Sequence, residues 1–288
     1  MKKVLSLLIV CVLIGCSEKR VLINELTNKG TLETPILYSE GELFDGICYD
    51  IFPNGNLLFE GEFVDSRVDG IFKWYYESGE IMYEWNYQNG KKEGIQKQFF
   101  KTEQLKIESN YNNDTLNGLQ KEWYENGQLG KEVNYINDLR NGLKKYWYDS
   151  GDIMYEWNYK DDKENGGCKS WYEGGQLESE RNFIFGKEDG LHKEWYENGQ
   201  LKSETNYKYG FKDGIYKEWY ESGQLKSETD YKYGVKNGTH RGFYENGQIK
   251  SDGTYIDGQL DGLYKLWYKN GQLESETNYK YGLIPLKY

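Results

Sequence analysis

Acidic and histidine side chains recur at fixed positions along this chain of 288 residues, and both types can catalyse reactions. Ten acids stand 24 residues apart, from Glu60 to Glu276, and could supply paired carboxylates for acid–base chemistry. The hairpin register argued below places Lys or Arg opposite nine of them. Because an active site should interrupt a repeat and these acids follow it, we predict that they fix strand register and that no residue is catalytic.

The two histidines, His192 and His240, occupy the same position of the repeat as Cys168. Neighbouring copies lie two strands apart, or ~10 Å at a strand spacing of ~4.8 Å. His192 and Cys168 are therefore too far apart to share a metal ion, whose bonds to protein ligands are ~2 Å long. Since no phosphate-binding glycine loop and no Ser/His/Asp set is evident either, we predict no metal site and no cofactor.

A column of tryptophans is the strongest candidate for a binding surface. Regularly spaced aromatic rings can stack on sugars or hold an extended peptide. The alternative is that the rings fill a thin sheet, and both roles are compatible if one face fills while the other binds. The candidate residues are Trp123, Trp147, Trp171, Trp195, Trp219 and Trp267.

These side chains are arranged by a repeat of 24 residues that runs through ten copies. Each copy opens with a glycine, from Gly46 to Gly262, and a second glycine follows nine residues later. The third copy alone breaks the second series, with Glu103 in that place. A fixed period of this length indicates one supersecondary unit stacked on itself.

Each copy has the sequence pattern of a β-hairpin. In the eighth copy, strand-like residues 214–220 and 225–231 flank Ser222-Gly223. Several other copies have Asn-Gly at these two positions. Asn-Gly between two strands predicts a type I′ turn of two residues. The turn places Lys217 opposite Glu228, and the segment 231–238 is predicted to be a return loop with turn conformations at Gly234 and Asn237.

We predict an all-β fold: an elongated meander of about ten stacked hairpins in a single twisted antiparallel sheet, on the order of 95 Å long. A parallel β-helix with one coil per repeat is the alternative, which the Asn-Gly turns and the Lys–Glu pairs disfavour. Cys48 and Cys168 share one repeat position, five copies apart, so we expect two free thiols.

The N-terminus has a different composition, with Lys2 and Lys3 before an apolar run that ends at Cys16. The ending Leu13-Ile14-Gly15-Cys16 resembles a bacterial lipobox, whose cysteine becomes the lipid-modified first residue of the mature protein. An ordinary signal peptide, or a buried strand with a chance cysteine, is the alternative. The predicted divisions are 1–15 signal peptide, 16–39 lipid-anchored tether with a possible capping strand, 40–282 repeats and 283–288 tail.

The composition restricts the partners. The net charge is −11, which argues against nucleic acid and against anionic lipid surfaces as partners of the repeats. The predicted location is the cell envelope, exported and lipid-anchored, with the outer membrane favoured in an organism that has two membranes because Ser17 resembles an outer-membrane sorting signal. The membrane would be contacted through the lipid on Cys16 only.

The pattern Gly-Leu/Ile-x-Lys-x-Trp-Tyr-x-Asn-Gly-Gln-Leu-x-x-Glu resembles the MORN-repeat variant of many bacterial proteins, which often carry a YwqK-type antitoxin label. The resemblance covers about 40–282. It implies stacked hairpins that act as a scaffold or binding surface, and it brings no catalytic residues. We therefore expect a lipid-anchored, non-enzymatic module that binds a protein or glycan, with an antitoxin or immunity protein as the alternative.

Overall fold

The computed structural model describes residues 19–29 and 37–284, which divide into two compact units at Gly94/Ile95. The expected signal peptide over 1–15, the expected lipidation site Cys16, and Pro285 to Tyr288 lie outside the described residues. Each unit is a mostly antiparallel meander of β-strands, and the predicted all-β fold of stacked hairpins is confirmed.

The first unit contains the main apolar core. Strand Arg20–Leu22 pairs in parallel with Gly46–Ile51, and three short strands form a separate small sheet. Val21, Phe44, Cys48 and Phe63 are buried together between these elements. Its elements are Arg20–Leu22, the 3-10 helix Ile23–Glu25, Thr27–Asn28, Leu37–Ser39, Glu42–Leu43, Gly46–Ile51, Leu57–Val64, Arg67–Tyr75, Ile81–Gln88 and Lys91–Lys92.

The second unit repeats one hairpin along its whole length. Its strands, of which the first begins at the boundary, are Gly94–Phe99, Leu105–Asn112, Thr115–Leu116, Gly118–Trp123, Leu129–Ile136, Leu139–Trp147, Ile153–Lys160, Lys163–Trp171, Leu177–Ile184, Lys187–Glu188, Gly190–Trp195, Leu201–Lys208, Phe211–Lys212, Gly214–Trp219, Leu225–Lys232, Val235–Phe243, Ile249–Ile256, Gln259–Leu260, Gly262–Trp267 and Leu273–Tyr279.

The two faces of the second unit differ in burial. One face, here called the buried face, holds small polar and a few larger side chains that are almost fully covered. The other, the ladder face, carries the Lys and Glu positions together with exposed Leu and Ile. Alternation along each strand produces this division. The buried residues are Gln96, Ser109, Val133, Tyr159, Cys168, Ser179, Ser203, Thr205, Thr229 and Ser251.

The predicted register is correct, but the predicted turn is wrong. Lys217 pairs with Glu228 as expected, whereas Trp219 pairs with Leu225, so Lys226 has no opposite residue. The Gly223 amide donates to the Tyr220 carbonyl, and of the loop residues 221–223 only Gly223 has a positive φ, +83°. A three-residue loop of this kind, followed by a bulge, brings the same residues of the two strands opposite each other as a two-residue turn would.

The type I′ turns lie at the opposite ends of the strands, where a return loop was expected. Lys232 pairs with Val235, and the two residues between them, Tyr233 and Gly234, have φ of 51° and 80°. Positive φ at both central residues defines this turn type. The prediction of a loop over 231–238 is therefore wrong, because the strands continue to a two-residue turn. Gly234 has the expected turn conformation, whereas Asn237 lies within a strand. A similar pair, Glu40 and Gly41, occurs in the first unit.

Candidate functional site

The tryptophans of the predicted binding surface, here called the Trp row, end the first strand of their hairpins. Trp171 pairs with Leu177 and Trp195 with Leu201, beside the three-residue loops. Strand alternation places them on the ladder face with the lysines. All six are partly exposed.

The tyrosine that follows each tryptophan binds the next hairpin. The hydroxyl of Tyr172 donates to the Trp195 carbonyl at 2.9 Å, and that of Tyr196 donates to the Trp219 carbonyl at 2.9 Å. Six such bonds follow one another in the second unit. The tyrosine column therefore joins adjacent repeats, and its hydroxyls are engaged in the fold.

The regularly spaced acidic residues lie opposite basic residues on both neighbouring strands. Glu156 pairs with Lys145 in its own hairpin and with Lys169 in the next, and the Lys145–Glu156 ion pair measures 2.9 Å. Glu180 is flanked in the same way by Lys169 and Lys193. The sequence predicted the first partner and missed the second. An alternating ladder of this kind stabilises strand pairing.

A charged cluster on the buried face was missed by the sequence reading. His192 lies 3.4 Å from Glu188 through Nδ1 and 3.4 Å from Glu194 through Nε2. Arg181 and Lys202 also face Glu194, at 3.9 Å and 3.6 Å. The His192 ring, followed by these cations, lowers the pKa of Glu194 to about 2 despite its partial burial. These groups neutralise one another.

His240 has a different environment in the same repeat position. Its Nδ1 lies 2.8 Å from the Thr229 hydroxyl, and its Nε2 lies 3.4 Å from the Ser251 hydroxyl. Burial, with a smaller effect of Lys236, lowers the pKa of the ring. Within residues 19–29 and 37–284, no group of three or more His, Cys, Asp or Glu is arranged to hold a metal ion.

Cys48 and Cys168 are buried and free. Burial, aided by Asp50, raises the pKa of the Cys48 thiol to about 12, and burial also raises that of Cys168. Both thiols are therefore protonated at neutral pH and weakly nucleophilic. They occupy the strand position that holds Phe, Gln, Lys, His or Tyr in other copies.

A second row of aromatic residues lies at the two-residue turns. Phe185, Tyr209, Tyr233 and Tyr281 are each 61–63 % exposed and have φ between 48° and 55°. Placing a bulky L-residue in this region costs about 1–2 kcal/mol. One repeat position changes from Asn or Asp to aromatic residues in these copies. The sequence analysis missed this change because it assigned the position to a return loop.

A shallow groove of about 420 Å³ opens on the ladder face at Gly167. Gly167 stands where most copies have an exposed Leu or Ile, and a Cβ there would meet nothing within 4 Å. Leu191, Asn182 and Glu180 line the groove. The missing side chain therefore interrupts the aliphatic stripe that runs beside the charge ladder.

The part of the chain that the structure describes contains no helix with the length and hydrophobicity needed to cross a membrane. The expected lipidation site, Cys16, precedes this part.

Comparison with known proteins identifies one family. The sequence model described as MORN repeat variant matches nine consecutive segments, which together cover more than half of the chain: 68–89, 92–113, 116–137, 140–161, 164–184, 188–209, 212–233, 236–257 and 260–281. The hairpin of Gly46–Ile51 and Leu57–Val64 precedes these segments and keeps the same register. A comparison with curated proteins finds no match.

Proposed function

Because this chain belongs to the MORN repeat variant family, we propose that it is a non-enzymatic repeat scaffold that binds a protein or glycan partner at the cell envelope. A lipid on Cys16 is proposed to hold it there. Repeats of this type suggest a scaffold or binding module, and the finer features are our own inference from the residues.

The Trp row is the observation that carries the proposal. It offers one partly exposed residue per repeat from Trp123 to Trp219, at the same strand position each time and ~10 Å from the next, with Phe243 between Trp219 and Trp267. The carbonyls of Trp147, Trp171, Trp195, Trp219 and Trp267 accept hydrogen bonds from the preceding repeat, which holds the backbone of the row in place. A rigid series of identical contacts suits an extended partner, because many weak contacts add up.

The anchor rests on the sequence before Cys16. Lys2, Lys3 and an apolar run too short for a permanent span precede a lipobox-like ending. Acyl chains on Cys16 would then hold the repeats at a membrane face. Growth with a labelled fatty acid should label the wild type and leave Cys16→Ala unlabelled. A wild type without label would contradict the anchor while leaving the binding function open.

The binding function is tested by affinity capture from an envelope extract with the detergent-solubilised protein. The variant Trp171→Ile/Trp195→Ile removes two rings and introduces the residue type that Ile51 supplies at this position in the first repeat. We expect a protein or glycan to bind the wild type and to bind this variant more weakly. Capture of nothing, or equal capture by both, would contradict the proposal. Recovery of a single toxin-like protein would assign the immunity function instead.

A further inference from the structure

Four exposed aromatic side chains lie at two-residue turns of the second unit, and we infer that they bind an anionic glycan. The tip row is defined as Phe185, Tyr209, Tyr233 and Tyr281. This inference rests on the proposed binding function and deepens it, since it names a surface and a ligand class for the same module.

The backbone at these turns favours a different residue type. The first turn residue has a φ of 48–55°, which suits Asn, Asp or Gly. Other turns of the unit follow that preference, with Asn113, Asn137, Asp161 and Asp257 at the same position. The aromatic rings of the tip row are more than half exposed, so packing does not explain them. Unfavourable backbone conformations of this kind concentrate at sites of function.

The tips are held by the rest of the fold. The Tyr209 amide donates to Asp189 Oδ2 at 3.2 Å, and the Gly210 amide donates to the Glu188 carbonyl at 2.8 Å. The next turn repeats this arrangement, with the Gly234 amide donating to the Lys212 carbonyl at 2.8 Å. The rings therefore project from a fixed backbone, so that little conformational entropy is lost when a ligand binds.

The spacing and the closed backbone favour a sugar chain over a peptide. Adjacent tips lie two strands apart, or ~10 Å, close to the length of a disaccharide unit in an extended β-linked glycan. Aromatic faces pack against the apolar faces of sugar rings. A peptide added to a sheet needs free backbone donors and acceptors, whereas the amides of Tyr209, Gly210 and Gly234 are already bonded within the fold.

The charge beside the rings favours an anionic sugar. An exposed lysine lies within two residues of each ring: Lys187, Lys208, Lys232 and Lys280. Lys280 also contacts Asp261 at 3.3 Å. Asp189, Asp213 and Asp261 also lie at these turns, but they are partly buried and accept hydrogen bonds from the amides of Tyr209, Tyr233 and Tyr281. The more exposed charges beside the three consecutive rings Phe185, Tyr209 and Tyr233 are therefore those of the lysines, and they match a chain with one carboxylate per disaccharide.

The test is a titration of the detergent-solubilised full-length chain with hyaluronan oligosaccharides long enough to span three adjacent tips. Neutral chitin oligosaccharides are the matched uncharged probe. We expect hyaluronan to bind more tightly than chitin, and its binding to weaken as salt is raised. The variant Tyr209→Asn/Tyr233→Asn restores the residue type of the other turns. It should keep or raise thermal stability and weaken hyaluronan binding at least ~10-fold.

Tyr268→Asn is the control, because Tyr268 is 50 % exposed but lies at a three-residue loop outside the tip row, and it should leave binding unchanged. Undiminished binding by the double variant would overturn the tip row as the site. Equal binding of chitin would overturn the preference for an anionic sugar. Absence of binding to either sugar would overturn the inference that the tip row binds a glycan. If affinity capture of a partner still depends on Trp171 and Trp195, the proposed function would remain.

Two further outcomes would assign the tip row to another ligand. Binding to phosphatidylglycerol vesicles that is lost in Tyr209→Asn/Tyr233→Asn, without hyaluronan binding, would identify a lipid surface. Self-association in sedimentation that is lost in the same variant would identify a second copy of the chain. Either result overturns the glycan inference.

Discussion

Glu103 shows what a single residue does when it breaks the second glycine series. It has a φ of 65° at a loop position where the other copies have glycines with φ of 81–108°. Its amide still donates to the Phe100 carbonyl at 2.9 Å, so the loop closes in the usual way. The backbone conformation is therefore set by the repeat, and the residue adopts it at a conformational cost.

Glu103→Gly should stabilise the protein. Glycine reaches this φ without steric conflict, and the side chain of Glu103 is exposed, so little contact is lost. We expect the free energy of unfolding to rise by about 1 kcal/mol, measured by urea denaturation. Lys101→Gly in the same loop is the control, because Lys101 has no positive φ and should lose up to about 1 kcal/mol. A destabilised Glu103→Gly protein would contradict the argument.

The cluster around His192 predicts a specific response to acid. The pKa of Glu194 is lowered from 4.5 to about 2, so the stabilisation from its charge is fully present above pH ~4.5 and is lost as the pH falls towards 2. Glu194→Gln should remove this contribution. We expect its melting temperature to fall less than that of the wild type between pH 5 and pH ~2.5.

Glu218→Gln is the matched control for this pH effect. Glu218 occupies the same repeat position one copy later, where Tyr216 replaces the histidine. Comparison of the two variants therefore isolates the contact of Glu194 with His192. Identical pH profiles of the wild type and Glu194→Gln would contradict the assigned role of His192.

At the scale of the elements, the sequence determined the register more firmly than the turns. Charge pairing is a property of opposed residues, and Lys217 meets Glu228 whichever loop closes the hairpin. Ser222-Gly223 suits two loop types, since a three-residue loop with a bulge at Lys226 gives the same offset as a type I′ turn. Local sequence therefore could not distinguish them.

The sequence identifies candidate residues that share one position of the repeat. It does not identify a cluster whose members come from several repeat positions. The Trp row lies on one strand position, which the repeat alone identifies. The tip row was hidden because Tyr233-Gly234 lacks the Asn or Asp that normally indicates a type I′ turn. The His192 cluster draws on different positions of two copies, so only the fold brings Arg181, His192 and Glu194 together.

The tyrosine column predicts a measurable coupling between hairpins. Tyr172→Phe removes the hydroxyl that donates to the Trp195 carbonyl and should lower the free energy of unfolding by about 1 kcal/mol in urea denaturation. Tyr268→Phe is the control, because Tyr268 is half exposed and no bond of this type is found for it in residues 37–284. An equal loss in both variants would show that the ring, and not the hydroxyl bond, matters.

At the scale of the molecule, the same contacts recur from one copy to the next in the second unit. Backbone pairing, the Lys–Glu ladder and the Tyr–carbonyl bonds each join a hairpin to its neighbour. Stability should therefore be close to a sum over repeats and their interfaces.

Removal of one whole repeat should therefore preserve the fold. Deletion of residues 124–147 joins Trp123 to Tyr148, so every repeat position keeps its order. We expect circular dichroism of the same strand type, cooperative unfolding, and a denaturant slope lower by roughly a tenth, since the slope scales with the surface exposed on unfolding. Deletion of 124–135 is the control: it joins Trp123 to Ile136, omits a three-residue loop and should not fold. Loss of cooperative unfolding after the 24-residue deletion would show that stability depends on contacts beyond neighbouring repeats.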